Sequence, residues 1–213
     1  MTAGPACFRH RGCRGAGEQA EGKTLDGSKR GRDNSGQNEG ITKHFAQAGI
    51  SGGWDDNSML TIDRATPEDA ETILALQKLA YQSEAKLYND WSLPPLTQTL
   101  ESLREEFTTS VILKATVNNR IVGSVRAKVS GGTCAIGRLI VHPEFQGQGI
   151  GSKLLQAIEA SCAGVARFEL FTGSKSEANI RLYQRHGYAL TRTQTVSPTV
   201  TLTFLEKPAN TVL

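Results

Sequence analysis

Three glycines at 147, 149 and 151, a tyrosine at 183 and a few carboxylates are the residues whose types and spacing could do chemistry. The glycines belong to Arg138-Leu-Ile-Val-His-Pro-Glu-Phe-Gln146-Gly-Gln-Gly149-Ile-Gly151, followed at once by Ser-Lys-Leu-Leu-Gln-Ala-Ile-Glu. Leu139, Ile140 and Val141 form an apolar run that reads as a strand ended by Pro143, and the residues after Gly151 have the period of an amphipathic helix. Strand, short glycine loop and helix leave the amides of the first helical turn unpaired and facing outward together. Glycine lets an anion reach the main chain without meeting a Cβ, and the helix dipole adds about half a positive charge. This predicts a phosphate held by Gln146, Gly147, Gln148, Gly149, Ile150 and Gly151. A dinucleotide fold uses glycine loops too, but with G-x-G-x-x-G spacing and an acid closing a second strand; here the spacing is G-x-G-x-G and that acid is missing.

A second stretch, Asn179-Ile-Arg-Leu-Tyr183-Gln-Arg-His-Gly187-Tyr188, puts Asn179 and Tyr183 four apart on one helix face, with Gly187 as its terminator. In this order, with one strand between them, the two stretches resemble the cofactor motifs of the GNAT superfamily of N-acetyltransferases, over roughly residues 59–207. The resemblance implies an α/β fold, with a central mixed seven-stranded sheet flanked by about four helices. It implies acetyl-CoA as cosubstrate; the four histidines are scattered without ligand spacing, so no metal is expected. The pantetheine arm would pair with the free edge of the strand at Leu139, Ile140 and Val141, the amide of Val141 facing the thioester oxygen. Asn179 would steady that arm, and Tyr183 would give its proton to the departing thiolate. A phenol with a pKa of about 10 is a reasonable donor to a thiolate whose free pKa is about 8.5.

The chain departs from the family pattern in one respect. Many members carry a general-base carboxylate on the strand before the glycine loop, and Thr133-Cys-Ala-Ile-Gly-Arg-Leu-Ile-Val has none. Glu169 and Glu84 are the nearest substitutes by topology, and both read equally as ordinary surface residues, so no base is assigned. Residues 81–91 lie where the family forms its acceptor wall; Tyr88, Asn89 and Trp91 could grip a small polar amine, with Glu84 a further substrate contact, although aromatic packing explains Tyr88 and Trp91 as well. The expected reaction is direct acetyl transfer to a primary amine of a small molecule in a ternary complex. The missing carboxylate keeps a second reading open, a CoA-binding regulatory module without catalysis.

The remaining elements position these residues. Residues 59–64 alternate as a strand, and Thr66-Pro67-Glu68-Asp69 supplies an N-cap, a first-turn proline and a returning acid. Ala70, Ile73, Leu74, Leu76 and Ala80 then follow a helical period, and Leu96, Leu100, Leu103 and Phe107 predict a second helix after Pro94-Pro95. Val111 to Val117 and Ile121 to Val129 alternate as a hairpin about Asn118-Asn119, with Arg126 and Lys128 on the face away from Val125. Gly131-Gly132 turns into the strand of residues 133–141. Leu154, Leu155 and Ile158 line a third helix, residues 167–171 a strand, and Ser174-Lys-Ser-Glu177 reads as a capping box opening the helix of Tyr183. Two strands, 188–193 and 200–205, close the domain.

Residues 1–58 hold 12 of the 22 glycines and sustain no helical or strand period, so they read as a disordered extension to a domain spanning 59–213. A faint likeness to an organellar leader in residues 1–17 is weaker than the plainer reading of an upstream start or tail. The net charge of +3 divides evenly, with 8 basic and 7 acidic residues in 1–58, and gives no case for a nucleic-acid partner. No apolar run approaches the ~18 residues of a membrane span. Cys7, Cys13, Cys134 and Cys162 lack paired spacing, which favours reduced thiols and a cytoplasmic protein. A homodimer is left open.

Overall fold

The computed structural model describes residues 59–209. The expectations for residues 1–58 and for Cys7 and Cys13 lie outside the described residues. Along the chain the elements are β1 (Thr61–Arg64), α1 (Ala70–Ala80), α2 (Gln82–Tyr88), α3 (Pro94–Thr97), α4 (Leu100–Thr109), β2 (Val111–Val117), β3 (Arg120–Ser130) and β4 (Thr133–Val141). They continue with α5 (Ile150–Ser161), β5 (Arg167–Gly173), α6 (Glu177–Arg185), β6 (Ala189–Thr195) and β7 (Thr201–Pro208).

The strands form one seven-stranded sheet in the order β1-β2-β3-β4-β5-β7-β6. Every neighbouring pair is antiparallel except β4 and β5. Local chemistry sets the turns. Asn118 and Asn119 take φ of 48° and 61°, and Gly131 and Gly132 take 54° and 75°, the paired positive values that match strand twist in a two-residue hairpin. Thr66 N–H donates to Asp69 Oδ2 at 2.8 Å, so the expected reciprocal cap forms, through a 3-10 turn at Pro67–Asp69.

One sheet face buries Ile150, Leu154, Leu155 and Ile158 of α5 against Val125, Ala127, Cys134, Ile136, Phe168, Leu170 and Leu205, with Tyr183 and Tyr188 in the same cluster. Truncating either fully buried leucine to alanine should cost about 2–5 kcal/mol. Glu159 pins this layer: it accepts from Tyr188 Oη at 2.7 Å and from Lys207 Nζ at 2.8 Å. The opposite face carries α1 and α4, with Ile73, Leu74 and Leu103 packed on Ile112.

The four helices of nine residues or more are those the sequence period predicts; two shorter ones are additions. Residues 82–88, expected as an irregular aromatic segment, are helical because Tyr81 stays in the right-handed region (φ −79°, ψ −3°) and good helix formers follow. Asn89, in the left-handed region at φ 50°, ends that helix. The single helix expected across Leu96 to Phe107 is two. α3 closes at Gln98, and Thr99 Oγ1 starts α4 afresh by accepting from Ser102 N at 3.2 Å.

Candidate active site

β4 and β5 pair only from Thr133↔Arg167 to Ile136↔Leu170, although β4 runs to Val141 and β5 to Gly173. Beyond Ile136 the two strands part, leaving the edge of residues 137–141 unpaired on that side. His142 N–H donates to Val122 O at 2.8 Å. Alternation along β4 therefore turns the N–H and C=O of Leu139 and Val141 toward the gap, where Val141 O already accepts from Gln146 Nε2 at 3.2 Å.

At the end of β4 a short 3-10 turn, Pro143–Phe145, leads into the glycine loop. Gly147 and Gly149 have φ of 76° and 81°, and a Cβ at either would meet nothing within 4 Å. Glycine is there for the left-handed backbone rather than for space. Gly149 is the N-cap of α5 and no side chain caps that helix, so its first amides are left for an external acceptor. Gln148 Nε2 closes the loop on Glu144 O at 3.2 Å. Ile150 is buried, and a Cβ on Gly151 would lie 3.6 Å from Leu182 and 3.9 Å from Val141. The start of α5, the end of β4 and α6 thus converge at one point.

Tyr183 follows Leu182 on α6. Its ring is buried, edge-on to Tyr188 at 6.1 Å between centroids. Gly187, at φ 87°, ends the helix in a Schellman arrangement, Tyr188 N to Tyr183 O and Gly187 N to Gln184 O. The Tyr183 hydroxyl has no hydrogen-bond partner among the described residues, and no fully enclosed side-chain N or O there lacks one, so the hydroxyl reaches accessible space. Burial, with Tyr81 and Glu84 nearby adding to it, pushes the phenol above its ordinary pKa of 10.0. Asn179 Nδ2 donates to Thr172 Oγ1 at 3.4 Å, on the last turn of β5.

α2 is tied across the gap to the β5–α6 turn. Lys175 N–H donates to Tyr88 Oη at 2.6 Å, and a Cβ on Gly173 would lie only 2.4 Å from that oxygen. Ser176 Oγ donates to Glu84 Oε2 at 2.5 Å. This corrects one expectation. Ser174 does not cap α6: its amide goes to Thr201 O at 2.8 Å, and the helix begins after Ser176. Of the two readings of Tyr88, packing describes what is seen: the residue is buried and its hydroxyl accepts from the Lys175 amide, docking α2. Asn89 is the exposed end of α2. Glu169 lies beside Ala135 and points to the face opposite Leu170, with Arg192 at 3.9 Å, apart from the Tyr183 cluster. Glu84 is the carboxylate that the fold brings toward Tyr183.

Side chains that sequence reasoning passed over complete the surroundings. Arg126, buried on the α1–α4 face, is ion-paired to Glu106 and hydrogen-bonded to Gln77; Gln77 in turn donates to Pro95 O at 2.8 Å and to Gln98 Oε1 at 3.0 Å. Gln77 on the apolar stripe of α1, one turn after Ile73, was the available signal: a buried amide there needs partners. Between β3 and β4 the register slips so that Val125 faces both Arg138 and Leu139, and Arg138 takes φ of 51°. Its guanidinium lies 5.9 Å over the ring of Tyr81, at the α1–α2 corner.

A mixed sheet split between two parallel strands, with an uncapped glycine loop at the mouth of the split, brings a free strand edge and a row of main-chain amides to one gap. The sequence of residues 72–188 matches the acetyltransferase (GNAT) family, and the chain belongs to that family. Solved structures of similar fold include the PaiA N-acetyltransferase of Thermoplasma acidophilum in complex with coenzyme A (17% identity, TM-score 0.59, covering 71% of this chain and 99% of that one). An N-acetyltransferase of Staphylococcus aureus is 22% identical with a TM-score of 0.57 (71% and 99% covered). The ribosomal-protein-S18-alanine N-acetyltransferase of Escherichia coli is 18% identical with a TM-score of 0.57 (73% and 99%). Among the described residues no helix is long and apolar enough to cross a membrane.

Proposed function

We propose that this chain transfers the acetyl group of acetyl-CoA directly to a primary amine of a small molecule, both substrates being bound together. When bound, the thioester supplies an activated acetyl group. The uncapped amides at the start of α5, with Gly147 and Gly149 shaping the approach, would hold the diphosphate. Leu139 and Val141 present main-chain groups along the split, and the Val141 N–H would polarise the thioester carbonyl. Ile140 supports them from within the strand, and Asn179, held by Thr172, lies on the far wall.

In the transfer the amine nitrogen forms the new C–N bond, the C–S bond breaks, and Tyr183 gives its hydroxyl proton to the sulfur. Glu84 accepts the proton that the amine loses. The observation that carries this reading is the unpartnered hydroxyl of an otherwise buried Tyr183, on the helix that meets the glycine loop and the end of β4. The same reading keeps the protein in the cytoplasm, supported by Cys134 and Cys162 being buried free thiols. Thiol release from acetyl-CoA should appear with some members of an amine panel and rise with amine concentration. Tight CoA binding with no amine-dependent release would favour a non-catalytic CoA-binding module.

A further inference from the structure

Two arginines among the described residues are withdrawn from full exposure, Arg126 and Arg138, and only Arg126 has a carboxylate. Arg138 is carried on a bulge in the left-handed region, a conformation that costs a non-glycine residue about 1–2 kcal/mol. Bulges of this kind re-aim a side chain beside a site. Here the guanidinium ends over the Tyr81 ring, close enough to Arg126 for their like charges to oppose each other. A half-buried guanidinium without a counter-ion is an anion-binding group in waiting.

Three residues past Tyr81, on the same helical face, stands Glu84. One of its oxygens is held by Ser176, and the other has no hydrogen-bond partner among the described residues. Arg138 over the Tyr81 ring and Glu84 one helical turn on are therefore a cation and an anion that are not ion-paired to each other. A ligand bearing only positive charge, such as a polyamine, would meet Arg138 as a repulsion.

We infer that the acceptor is an amino-acid-like molecule whose carboxylate pairs with Arg138 while its amine lies on Glu84, across the ring of Tyr81. This rests on the transfer reaction proposed above and names its substrate class. The test uses the full chain with acetyl-CoA and matched sets, each amino acid alongside its own amide and its decarboxylated amine. Thiol release gives kcat and KM, and calorimetry with CoA present gives acceptor affinity.

The acid of each set should exceed its amide by tenfold or more in kcat/KM. Arg138→Gly suits the positive φ and so keeps the fold; it should bring that ratio to within about threefold, through KM rather than kcat. Arg138→Lys should restore part of the preference. Equal use of acids and amides by the wild type would overturn the inference, as would an Arg138→Gly variant that keeps the preference. If nothing is acetylated but calorimetry shows the acid bound in preference, and Arg138→Gly abolishes that, the inference stands and the transfer reading falls. If neither turnover nor preferential binding is seen, both fall.

Discussion

The proposed cofactor side of the site and the proposed acceptor side are made of different material. Between residues 146 and 151 the groups on offer are main-chain amides, exposed by one sharp turn and presented by a single continuous segment. Around Tyr81 the groups are side chains from three separated places: the α1–α2 corner, the β4 bulge and the β5–α6 turn. A main-chain site is insensitive to most side-chain replacement but not to loss of its glycines. A side-chain site can change its ligand by one substitution and leave the sheet beneath it intact. On the proposed reading, affinity for the shared cosubstrate belongs to the first region and choice of acceptor to the second.

That division can be attacked at several points. The largest effect should come from Tyr183→Phe, which removes the proposed proton donor: turnover should fall by roughly 10²–10⁴, with CoA affinity by calorimetry changed only a few-fold. Wild-type turnover in this variant would remove the general-acid role. Gly173→Ala comes next, because its Cβ would lie 2.4 Å from Tyr88 Oη, and the ring is clamped by the Lys175 amide. Overpacking there should cost about 1–3 kcal/mol in urea unfolding and raise the acceptor KM more than the CoA dissociation constant. The mirror experiment is Gly149→Val. There is room for the side chain but not for its backbone at φ 81°. About 1–2 kcal/mol of strain should weaken CoA binding roughly tenfold and leave acceptor preference as it was.

The smallest effect is in the pH profile. Burial holds the Tyr183 phenol above 10.0, so it keeps its proton throughout the neutral range. Turnover should show no falling limb from this group below about pH 10. Stability follows the same sign. Below pH 10 the folded and unfolded chains both hold the proton; above it the unfolded chain ionises first, and stability should fall as pH rises further. Tyr188, raised by burial and by its bond to Glu159, adds to that alkaline loss.

The two regions also differ in how far the sequence disclosed them. The glycine loop and the Asn179–Tyr183 pair are contiguous, so strand, loop and helix periods displayed them directly. The split between β4 and β5 was not readable, because register is a property of two strands and leaves no pattern in either. Arg126 was seen to face away from Val125, but the face it joins is covered by α1 and α4, which makes it a buried ion pair. Arg138 lay in plain view in the first motif, yet only the register slip aims it at Tyr81. Ser176 was hidden by its neighbour Ser174, whose spacing to Glu177 suits a cap that the turn does not form. Tyr88 reads two ways from sequence, because an aromatic in an acceptor wall and an aromatic docking a helix look alike in one dimension.

The most direct test of the cofactor side is a titration of the isotopically labelled chain with CoA, followed through its amide resonances. The amides of Gly147, Gly149, Ile150 and Gly151, with Leu139 and Val141 along the split, should shift most, and those of β1 and β6 should stay still. Shifts that spare residues 146–151 and gather elsewhere on the sheet would contradict the placement of the diphosphate, and with it the delivery of the thioester beside Tyr183.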